Sequence, residues 1–492
     1  MKTLVLTLTI AITTLVLLTP WLLNGAPYIG DSWVHLKKAK SIIDSNIISL
    51  NEYNDMWPLV NLLLVFYSDI LNINLLTATQ SIPFLVSLSI INIYLIAKKI
   101  SNFWNTGIAA GIAFAFTPLY TFITFGSAVM KETASLYLTT AIIAYIISNK
   151  MKYPCFILLA LGLILGHHFA SLAIIVLLMT LTIESFLDYL AGETNEWIKI
   201  LIATIIFLSF AICWIIYIIS KIGWFAPVSL NSLIMISWIW LGSYLISRIS
   251  RTGAIILQSS LIPLASLAWR GYLYNIPTPT IPISIWEIRD LFVFLIPSLL
   301  GLANYWKQKE VRSLLISTST LIAFSLTWSL DIEGLVIFTK SLHYYAIMLA
   351  IIFGLSTPFI LKRKFGKMIS IIIMIYLILA SITGIALALD GPGAYHQQEY
   401  LQVKGLTKIL SNQAMMDVKL GYLAEYFSLE YTSFHKPKPK EYILLTKTDY
   451  THGVLFGYVW VKLSIFLPYE MEILCDRLID GSYVKLLRTN VI

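Results

Sequence analysis

The sequence has few charged residues. Of its 492 residues, 12% are Asp, Glu, Lys or Arg and 58% are hydrophobic, and the mean hydropathy is +0.80. Soluble domains carry about 25% charged residues, so this composition excludes a soluble globular protein and indicates a polytopic membrane protein. The net charge of +8 does not indicate a nucleic-acid partner, because many basic residues lie in short clusters between apolar runs and form no continuous patch.

Cysteines and nucleotide-binding motifs are also scarce. Cys155 and Cys213 fall in apolar segments and Cys475 lies near the C-terminus, so neither a disulfide framework nor a metal-ligand spacing follows from them. The chain contains no P-loop and no GxGxxG motif, which argues against an ATP-driven pump. It also lacks an Asn-x-Ser/Thr sequon, so it is not itself an obvious N-glycan acceptor.

Long apolar runs predict about thirteen membrane spans, since a helix needs roughly 20 apolar residues to cross the hydrocarbon core. The first is expected to be an uncleaved signal anchor with its N-terminus inside. The predicted spans are 3–23, 77–97, 104–122, 133–148, 154–166, 169–189, 197–219, 229–247, 253–269, 288–303, 313–330, 341–361 and 368–389.

Basic residues predict the orientation of these spans, because Lys and Arg are enriched in cytoplasmic loops. The loops expected inside hold Lys98, Lys99, Lys150, Lys152, Arg248, Arg251, Lys307, Lys309, Arg312, Lys362, Arg363, Lys364 and Lys367. The short loops expected outside hold fewer, namely Lys131, Lys221, Arg270, Arg289 and Lys340. This asymmetry predicts a cytoplasmic N-terminus and an extracytoplasmic C-terminus in a plasma-membrane protein.

Residues 24–75 form a long extracytoplasmic loop after the first span. A predicted amphipathic helix over 32–49 has Leu36, Ala39, Ile43 and Ile47 on one face, which is typical of a helix in the membrane interface. A second predicted helix, over 57–71, reaches roughly 22 Å and is too short to span. At the start of the first helix, Asp31 and His35 share one face, which marks them as candidate functional residues, although Asp31 also fits a simple helix N-cap.

The composition becomes that of a soluble protein after residue 389. We therefore predict a transmembrane domain over 1–389 and a small extracytoplasmic α/β domain over 390–492. Its expected elements are a helix over 398–410, a stiff KPKPK linker at 436–440, a strand in EYILLTK, and a hairpin that turns at Asp480-Gly481.

Other ionisable residues gather at the predicted outer ends of the spans. They are Lys131, Glu132, His167, His168, Arg270, Glu287, Arg289, Asp290, Asp331, Glu333, Lys340 and His343. Each alone could extend to the interface and contact water, but their convergence on one face favours a site. Adjacent histidines lack the i, i+4 spacing of two ligands on one helix face, so His167-His168 does not predict a metal site.

Several short segments carry a resemblance to a known family. They are G-D-S-W-V-H-L (30–36), M-W-P-L-V-N-L-L-L (56–64), the Lys-Glu pair 131–132, G-H-H-F-A-S (166–171) and K-S-L-H-Y-Y (340–345). With the long first loop and the outer α/β domain, the chain resembles the GT-C superfamily of polyprenyl-phosphate-dependent membrane glycosyltransferases. This superfamily includes protein O-mannosyltransferases and oligosaccharyltransferase catalytic subunits, and the closing hairpin is similar to that of many archaeal-type members.

The resemblance implies a function and a site. In such proteins the acidic residue of the first loop carries catalysis, which points to Asp31. Because Ser32 follows in place of a second acid, a metal-dependent oligosaccharyltransferase is not favoured, and the question of a divalent metal stays open. The resemblance also implies an arginine near the K-S-L-H-Y-Y segment; it is absent here, which leaves Lys340 or His343 for that role.

The expected reaction is inverting transfer of a sugar from a polyprenyl (dolichyl) phosphate to a lipid-linked glycan or protein on the outer face. The phosphate that leaves has a second pKa of about 6 and needs no general acid, but it needs cations. Arg270, Arg289, Lys340 and His343 are the candidates, and His35, Lys131, Glu132, His167 and His168 complete the expected substrate- and lipid-phosphate-binding set. Membrane lipids are the other expected partners.

Two other classes remain open from the sequence. A lipid-glycan flippase or secondary transporter would also need many spans, but such proteins typically show inverted repeats and place their polar residues near the midplane. This sequence shows no such repeat, and its polar residues fall at one face. A catalytically inactive scaffold of the same fold would keep the spans without the chemistry.

Overall fold

The computed structural model describes most of the chain. The described residues are 2–27, 30–117, 127–148, 151–192, 196–223, 230–260, 297–328, 332–389, 397–410, 413–432, 440–452, 455–456, 461–462, 475–481 and 483–489.

Helices make up most of these residues. They are α1 (Lys2–Asn24), α2 (Gly30–Ser45), α3 (Leu59–Leu71), α4 (Leu75–Ala78), α5 (Ser81–Ser101), α6 (Trp104–Ala115), α7 (Lys131–Ile147), α8 (Tyr153–Gly166), α9 (His168–Leu190), α10 (Trp197–Ile222), α11 (Leu230–Ile249), α12 (Lys309–Trp328), α13 (Ile332–Leu361), α14 (Gly366–Leu389), α15 (Gln397–Leu406), α16 (Val418–Tyr426) and α17 (Lys447–His452). Residues 251–260 and 297–305 are helical too.

The described residues include five helices that are long and apolar enough to cross a membrane. They are Lys2–Asn24, Leu75–Ser101, His168–Leu190, Trp197–Ile222 and His343–Leu361. The chain is therefore a multi-pass membrane protein, as its composition predicts. The prediction of about thirteen spans stays a prediction, because several of the apolar helices are shorter than a bilayer requires.

Helices α5, α6 and α13 pack together in the middle of the bundle. Gly354 of α13 faces α6 so closely that an added Cβ would lie 2.6 Å from the Thr106 carbonyl oxygen and 2.6 Å from the Ala110 Cβ. Small residues let helices approach in this way within membranes, where dispersion replaces the hydrophobic effect as the main source of helix association. Any larger side chain at Gly354 would separate the two helices.

A buried ion cluster joins α9, α11 and α12 at the end predicted to face the cytoplasm. Glu184 Oε2 accepts a hydrogen bond of 2.6 Å from Arg248 Nη1 and one of 3.0 Å from Arg312 Nε. Arg312 Nη2 contacts the same oxygen. Glu184 is fully buried, so its charge depends on the two guanidinium groups that replace water around it.

The first loop folds into α2, a 3₁₀ turn at Tyr53–Met56, and α3. The two helices begin at Gly30 and Leu59, close to the predicted 32 and 57. Lys38 of α2 holds the turn by ion pairs with Asp55 and with Glu52, the latter at 3.0 Å. Although burial disfavours the charge of Lys38, the hydrogen bonds and charges of Asp55 and Glu52 outweigh that effect and raise its pKa.

The apolar face of α2 differs from its prediction. Leu36 and Ala39 are fully buried, since α2 packs between α3 and α16, and only Ile43 and Ile47 are exposed. The first half of this face therefore contacts protein, whereas the sequence predicts that the whole face lies in the membrane interface.

The C-terminal region contains the predicted mixture of helix and sheet. Its strands are β1 (Ala414–Met415), β2 (Tyr431–Thr432), β3 (Tyr442–Thr446), β4 (Leu455–Phe456), β5 (Val461–Lys462), β6 (Cys475–Asp480) and β7 (Val484–Thr489). Five of them form a sheet in the order β2-β1-β3-β7-β6, and β4 pairs with β5. The antiparallel β6–β7 hairpin pairs Asp480 with Lys485, close to its predicted turn. The KPKPK segment lies largely outside the described residues.

This region docks on the first loop through aromatic rings. The Trp33 ring of α2 is fully buried and lies 5.6 Å from the Tyr400 ring and 5.2 Å from the Tyr426 ring, measured between centroids. At the edge of the contact Lys37 pairs with Glu425 at 2.9 Å. The contact connects α2, which carries Asp31, directly to the C-terminal region.

Candidate functional site

Helix α2 positions the two residues singled out in the first loop. Asp31 is its second residue, and the side chain of Asp31 lies outside the described structure. Because the helix begins at Gly30, Asp31 belongs to its first turn and does not occupy the N-cap position. His35 follows one turn later on the same face and is 3% exposed.

A hydrogen bond brings the start of α7 to the start of α2. The Val129 amide donates to Ser32 Oγ at 3.0 Å, and Ser32 is fully buried. Val129 precedes Lys131 by two residues, so this bond anchors the Lys131-Glu132 pair beside the turn of α2 that contains Asp31. Two of the segments singled out in the sequence thus meet.

Trp57 forms the next contact surface. Lys131 Nζ lies 5.0 Å from the Trp57 ring centroid, and the His168 ring lies 4.8 Å from it. The indole is 1% exposed. A cation over an indole face is attracted by the ring quadrupole, so Trp57 restrains the Lys131 ammonium group near the N-terminus of α7.

Glu132 and His167 form a second pair. His167 Nε2 lies 3.1 Å from Glu132 Oε1, and His167 Nδ1 accepts the Ala170 amide proton as the N-cap of α9. Since Nδ1 accepts, the neutral ring carries its proton on Nε2, which faces the carboxylate. At 3.1 Å the two groups are close enough for electrostatic attraction between the N–H dipole and the carboxylate.

Close packing at Gly166 holds this histidine pair in place. A Cβ added to Gly166 would lie 2.8 Å from Ser135 Oγ of α7 and 2.9 Å from Leu59 Cδ2 of α3. A larger residue at position 166 would require the Ser135 and Leu59 side chains to shift where α8 ends against these two helices. The chain then turns directly into His167 and α9, and this turn fixes the position of the pair.

His35 makes a hydrogen bond to a residue that the sequence did not mark as part of the site. Its Nδ1 lies 2.8 Å from Asn61 Oδ1 of α3. Burial, together with the charge of Lys131, lowers the pKa of His35 to about 3, although Asn61 and Glu132 act in the opposite direction. His35 is therefore neutral at physiological pH. We refer to His35, Asn61, Lys131, Glu132 and His167 as the outer cluster, because the basic residues predict that this end of the helices faces outward.

The remaining predicted residues are placed only in part. Arg270 and Arg289 belong to 261–296, outside the described residues, as do Glu287 and Asp290. The backbone of Lys340 belongs to α13, but its side chain is not among those described. His343, on the same helix, is buried. Its neighbour Tyr344 has its ring 5.7 Å from the ring of Phe169, two residues after His167.

Asn61 and Trp57 are the contributors that the sequence analysis missed. Both belong to the M-W-P-L-V-N-L segment, so only their roles were overlooked. Asn61 is a lone amide in an apolar run, and a buried amide needs hydrogen-bond partners. Asn61 lies on the buried face of α3 with Val60 and Leu64. An amide within an apolar run was therefore the signal that could have marked it as part of the site.

The described side chains do not offer a complete metal site. Glu132 and His167 are close, but no group of three His, Cys, Asp or Glu that could hold a metal ion occurs among the described residues. The His167 Nδ1 lone pair is also occupied by the Ala170 amide. We therefore derive no metal-dependent step.

Sequence comparisons identify no relative. No family model matches the chain, and no curated protein matches it.

Comparison of folds finds strong similarity to a solved membrane protein. The oligosaccharyltransferase of Archaeoglobus fulgidus, in complex with Zn and sulfate, has a TM-score of 0.62 at 14% identity, over 95% of this chain and 71% of that one. The oligosaccharyltransferase AglB from the same organism, in complex with an inhibitory peptide and a dolichol-phosphate, has a TM-score of 0.60 at 11% identity, over 96% of this chain and 72% of that one. At these identities the similarity shows a shared fold, and this is the fold that the resemblance of the sequence implies.

Proposed function

We propose that this protein is a glycosyltransferase that moves a sugar from a polyprenyl (dolichyl) phosphate donor to a lipid-linked glycan or protein acceptor. The observation that carries the proposal is the Ser32–Val129 hydrogen bond, which joins the Asp31 turn to the Lys131-Glu132 pair within a GT-C-like fold. The archaeal protein of similar fold binds dolichol-phosphate and peptide, which supports a lipid-phosphate donor for this chain.

Asp31 is the proposed general base. Its carboxylate takes the proton of the acceptor nucleophile as the new bond forms between that nucleophile and the anomeric carbon. The bond from the anomeric carbon to the phosphate oxygen breaks, and the lipid phosphate leaves with the electron pair. A single displacement of this kind inverts the anomeric configuration.

We assign Lys131, whose side chain the structure describes, to the leaving phosphate. Trp57 restrains its ammonium group, and a restrained charge stabilises developing negative charge without first reorganising. Arg270, Arg289, Lys340 and His343 remain proposed contributors to the same task. Glu132 and His167 are proposed to position the start of α7, so that Lys131 keeps its place.

The transporter alternative has no specific support. The groups of the outer cluster gather where α2 meets the first turns of α7 and α9, at helix ends, whereas transporter sites typically lie at the bilayer midplane. We further propose that this end faces outward, on the basis of the basic residues at the opposite ends of the helices.

Transfer of a labelled sugar tests the proposed function. The full chain in liposomes would be given dolichyl phosphate hexoses carrying a radiolabel and either a glycolipid or a peptide acceptor. We expect label to appear in the acceptor with inverted anomeric configuration, determined by NMR of the product. Movement of the intact donor across the bilayer without transfer would instead favour a flippase.

A further inference from the structure

A buried amide determines which nitrogen of His35 carries the proton. Asn61 Oδ1 lies 2.8 Å from His35 Nδ1, and both residues are 3% exposed. An amide oxygen only accepts hydrogen bonds, so the proton of the neutral ring resides on Nδ1. The other nitrogen, Nε2, then presents a lone pair and no proton, and no described side chain forms a hydrogen bond with it.

The surrounding charges keep His35 in this neutral form. Lys131 of α7 and Lys38 of α2 disfavour a second proton, Glu132 of α7 favours one, and burial has the largest effect, against it. A neutral imidazole with a free lone pair repels the oxygen atoms of a phosphate, which are themselves acceptors. Within the predicted substrate- and lipid-phosphate-binding set, a phosphate oxygen is therefore not a complementary partner for His35 Nε2. A hydroxyl group, which can donate, is the complementary partner.

We propose that Asn61 is a positioning residue that holds His35 in the Nδ1–H tautomer, and that His35 Nε2 accepts a hydrogen bond from a hydroxyl of the sugar on the lipid-phosphate donor. His35 lies one helical turn from Asp31 on the same face of α2. A sugar bound beside Asp31 would therefore be within reach of His35. This inference rests on the proposed function and specifies which part of the donor His35 recognises.

Two matched substitutions separate recognition from a structural role. In His35→Gln the side-chain amide reaches the position of Nε2 and can accept there, but it leaves the position of Nδ1 empty. In His35→Asn the amide can donate from the position of Nδ1 to Asn61, but nothing occupies the position of Nε2. Recognition through Nε2 predicts that Gln retains sugar binding and Asn loses it. A purely structural bond to Asn61 predicts the reverse order.

Thermal stabilisation by lipid provides a readout that does not depend on turnover. The full chain in detergent would be titrated with dolichyl phosphate and with the dolichyl phosphates of mannose and glucose. We expect at least one sugar-bearing lipid to bind more tightly than dolichyl phosphate itself. His35→Asn should weaken binding of the sugar-bearing lipid by about threefold to tenfold, which is the scale of one neutral hydrogen bond. Binding of dolichyl phosphate should be unaffected.

The outcomes of this titration distinguish the two proposals. If His35→Asn weakens the binding of dolichyl phosphate and of its sugar derivatives equally, His35 recognises the phosphate and the inference is overturned. If the wild type binds sugar-bearing and bare lipid equally, sugar recognition by His35 is likewise overturned. If the wild type transfers no sugar at all although it binds the sugar through His35, the proposed reaction fails and the binding inference stands.

Asn61→Asp tests the tautomer itself. A carboxylate against Nδ1–H favours the imidazolium, so the pKa of His35 should rise and Nε2 should become a donor as the pH falls. Sugar binding should then be lost at low pH and recover above the raised pKa, whereas the wild type retains it over the same range. Far-UV circular dichroism would first establish that Asn61→Asp is folded. If the folded variant binds sugar with the wild-type pH dependence, the proposed role of Asn61 is overturned.

Discussion

His167 uses both ring nitrogens to join two helices. Nδ1 accepts the Ala170 amide proton at 3.3 Å and so caps α9, while Nε2 lies 3.1 Å from Glu132 Oε1 in the first turn of α7. The Glu132 carboxylate, which is only 12% exposed, therefore lies beside an N–H group. This arrangement connects the helix cap to the placement of Lys131, the residue immediately before Glu132.

Substitutions at His167 should separate these two tasks. Asn is among the best N-cap residues, so His167→Asn should keep the cap and lose only the contact with Glu132. His167→Ala should lose both and cost about 1 kcal/mol more, the usual value of a cap. Urea or thermal unfolding in detergent would measure the difference. Equal stability of the two variants would mean that the Ala170 contact contributes nothing to capping.

The sequence predicted those parts of the site that depend on local spacing. Asp31 and His35 share a face because helix periodicity places residues four apart together, and the hairpin at Asp480-Gly481 follows from its turn residues. Some apolar runs likewise indicated helices close to the observed bounds, for example 169–189 against His168–Leu190, whereas α13 begins at Ile332, well before the predicted 341. These features need no knowledge of what lies across the bundle.

Contacts between distant segments could not be predicted in this way. Nothing in the sequence pairs Asn61 with His35, or Val129 with Ser32, because each bond depends on how α2, α3 and α7 pack. The same applies to Leu36, whose apolar side chain fits a membrane interface and a protein interior equally well. Leu36 lies in the protein interior because α2 packs between α3 and α16.

Lys131 should contribute mainly to recognition of the lipid phosphate. Lys131→Gln removes the charge over Trp57 and should weaken dolichyl phosphate binding by about tenfold or more, since charge-assisted bonds are worth roughly 1.5–3 kcal/mol. Lys131→Arg should retain much of the affinity. Lys37→Gln is the control, because it removes a cation paired with Glu425 at an exposed position. If the Lys131 and Lys37 variants bind equally well, Lys131 has no special role.

Loss of the buried Glu184 carboxylate should lower stability far more than loss of the exposed Glu196 carboxylate. Glu184→Gln leaves Arg248 and Arg312 without their shared carboxylate, and breaking a buried ion cluster costs about 3–5 kcal/mol. Glu196→Gln removes a carboxylate that is 38% exposed and 3.5 Å from Lys309, so at most about 1 kcal/mol should be lost. Unfolding temperatures in detergent would compare them. A Glu184 variant as stable as the Glu196 variant would show that the cluster is not stabilising.

The orientation of the bundle can be tested by labelling from outside. In a variant with Cys155, Cys213 and Cys475 replaced, single cysteines would be placed at the exposed Lys364 and Lys408 positions. The basic clusters predict that an impermeant maleimide labels position 408 in intact cells, and labels position 364 only after permeabilisation. Labelling of position 364 in intact cells would reverse the proposed topology.

Asp31 is the residue on which the proposed reaction depends most directly. If its carboxylate accepts the proton of the acceptor, Asp31→Asn should lower turnover by about 100-fold or more, the scale of general-base catalysis. Stability should change by less than about 1 kcal/mol, because Asp31 lies in the first turn of α2 and the loss is one charge near a helix N-terminus.

Asp44 provides the matched control for this prediction. It lies on the same helix and is exposed near the other end, so Asp44→Asn removes an equal charge from α2 without touching the outer cluster. Transfer from dolichyl phosphate hexose and thermal unfolding would be measured for both variants. A low turnover confined to Asp31→Asn, at unchanged donor affinity, identifies a group that acts in the chemical step. Full activity of Asp31→Asn would remove Asp31 from the mechanism and make Glu132, held beside His167, the next carboxylate to test.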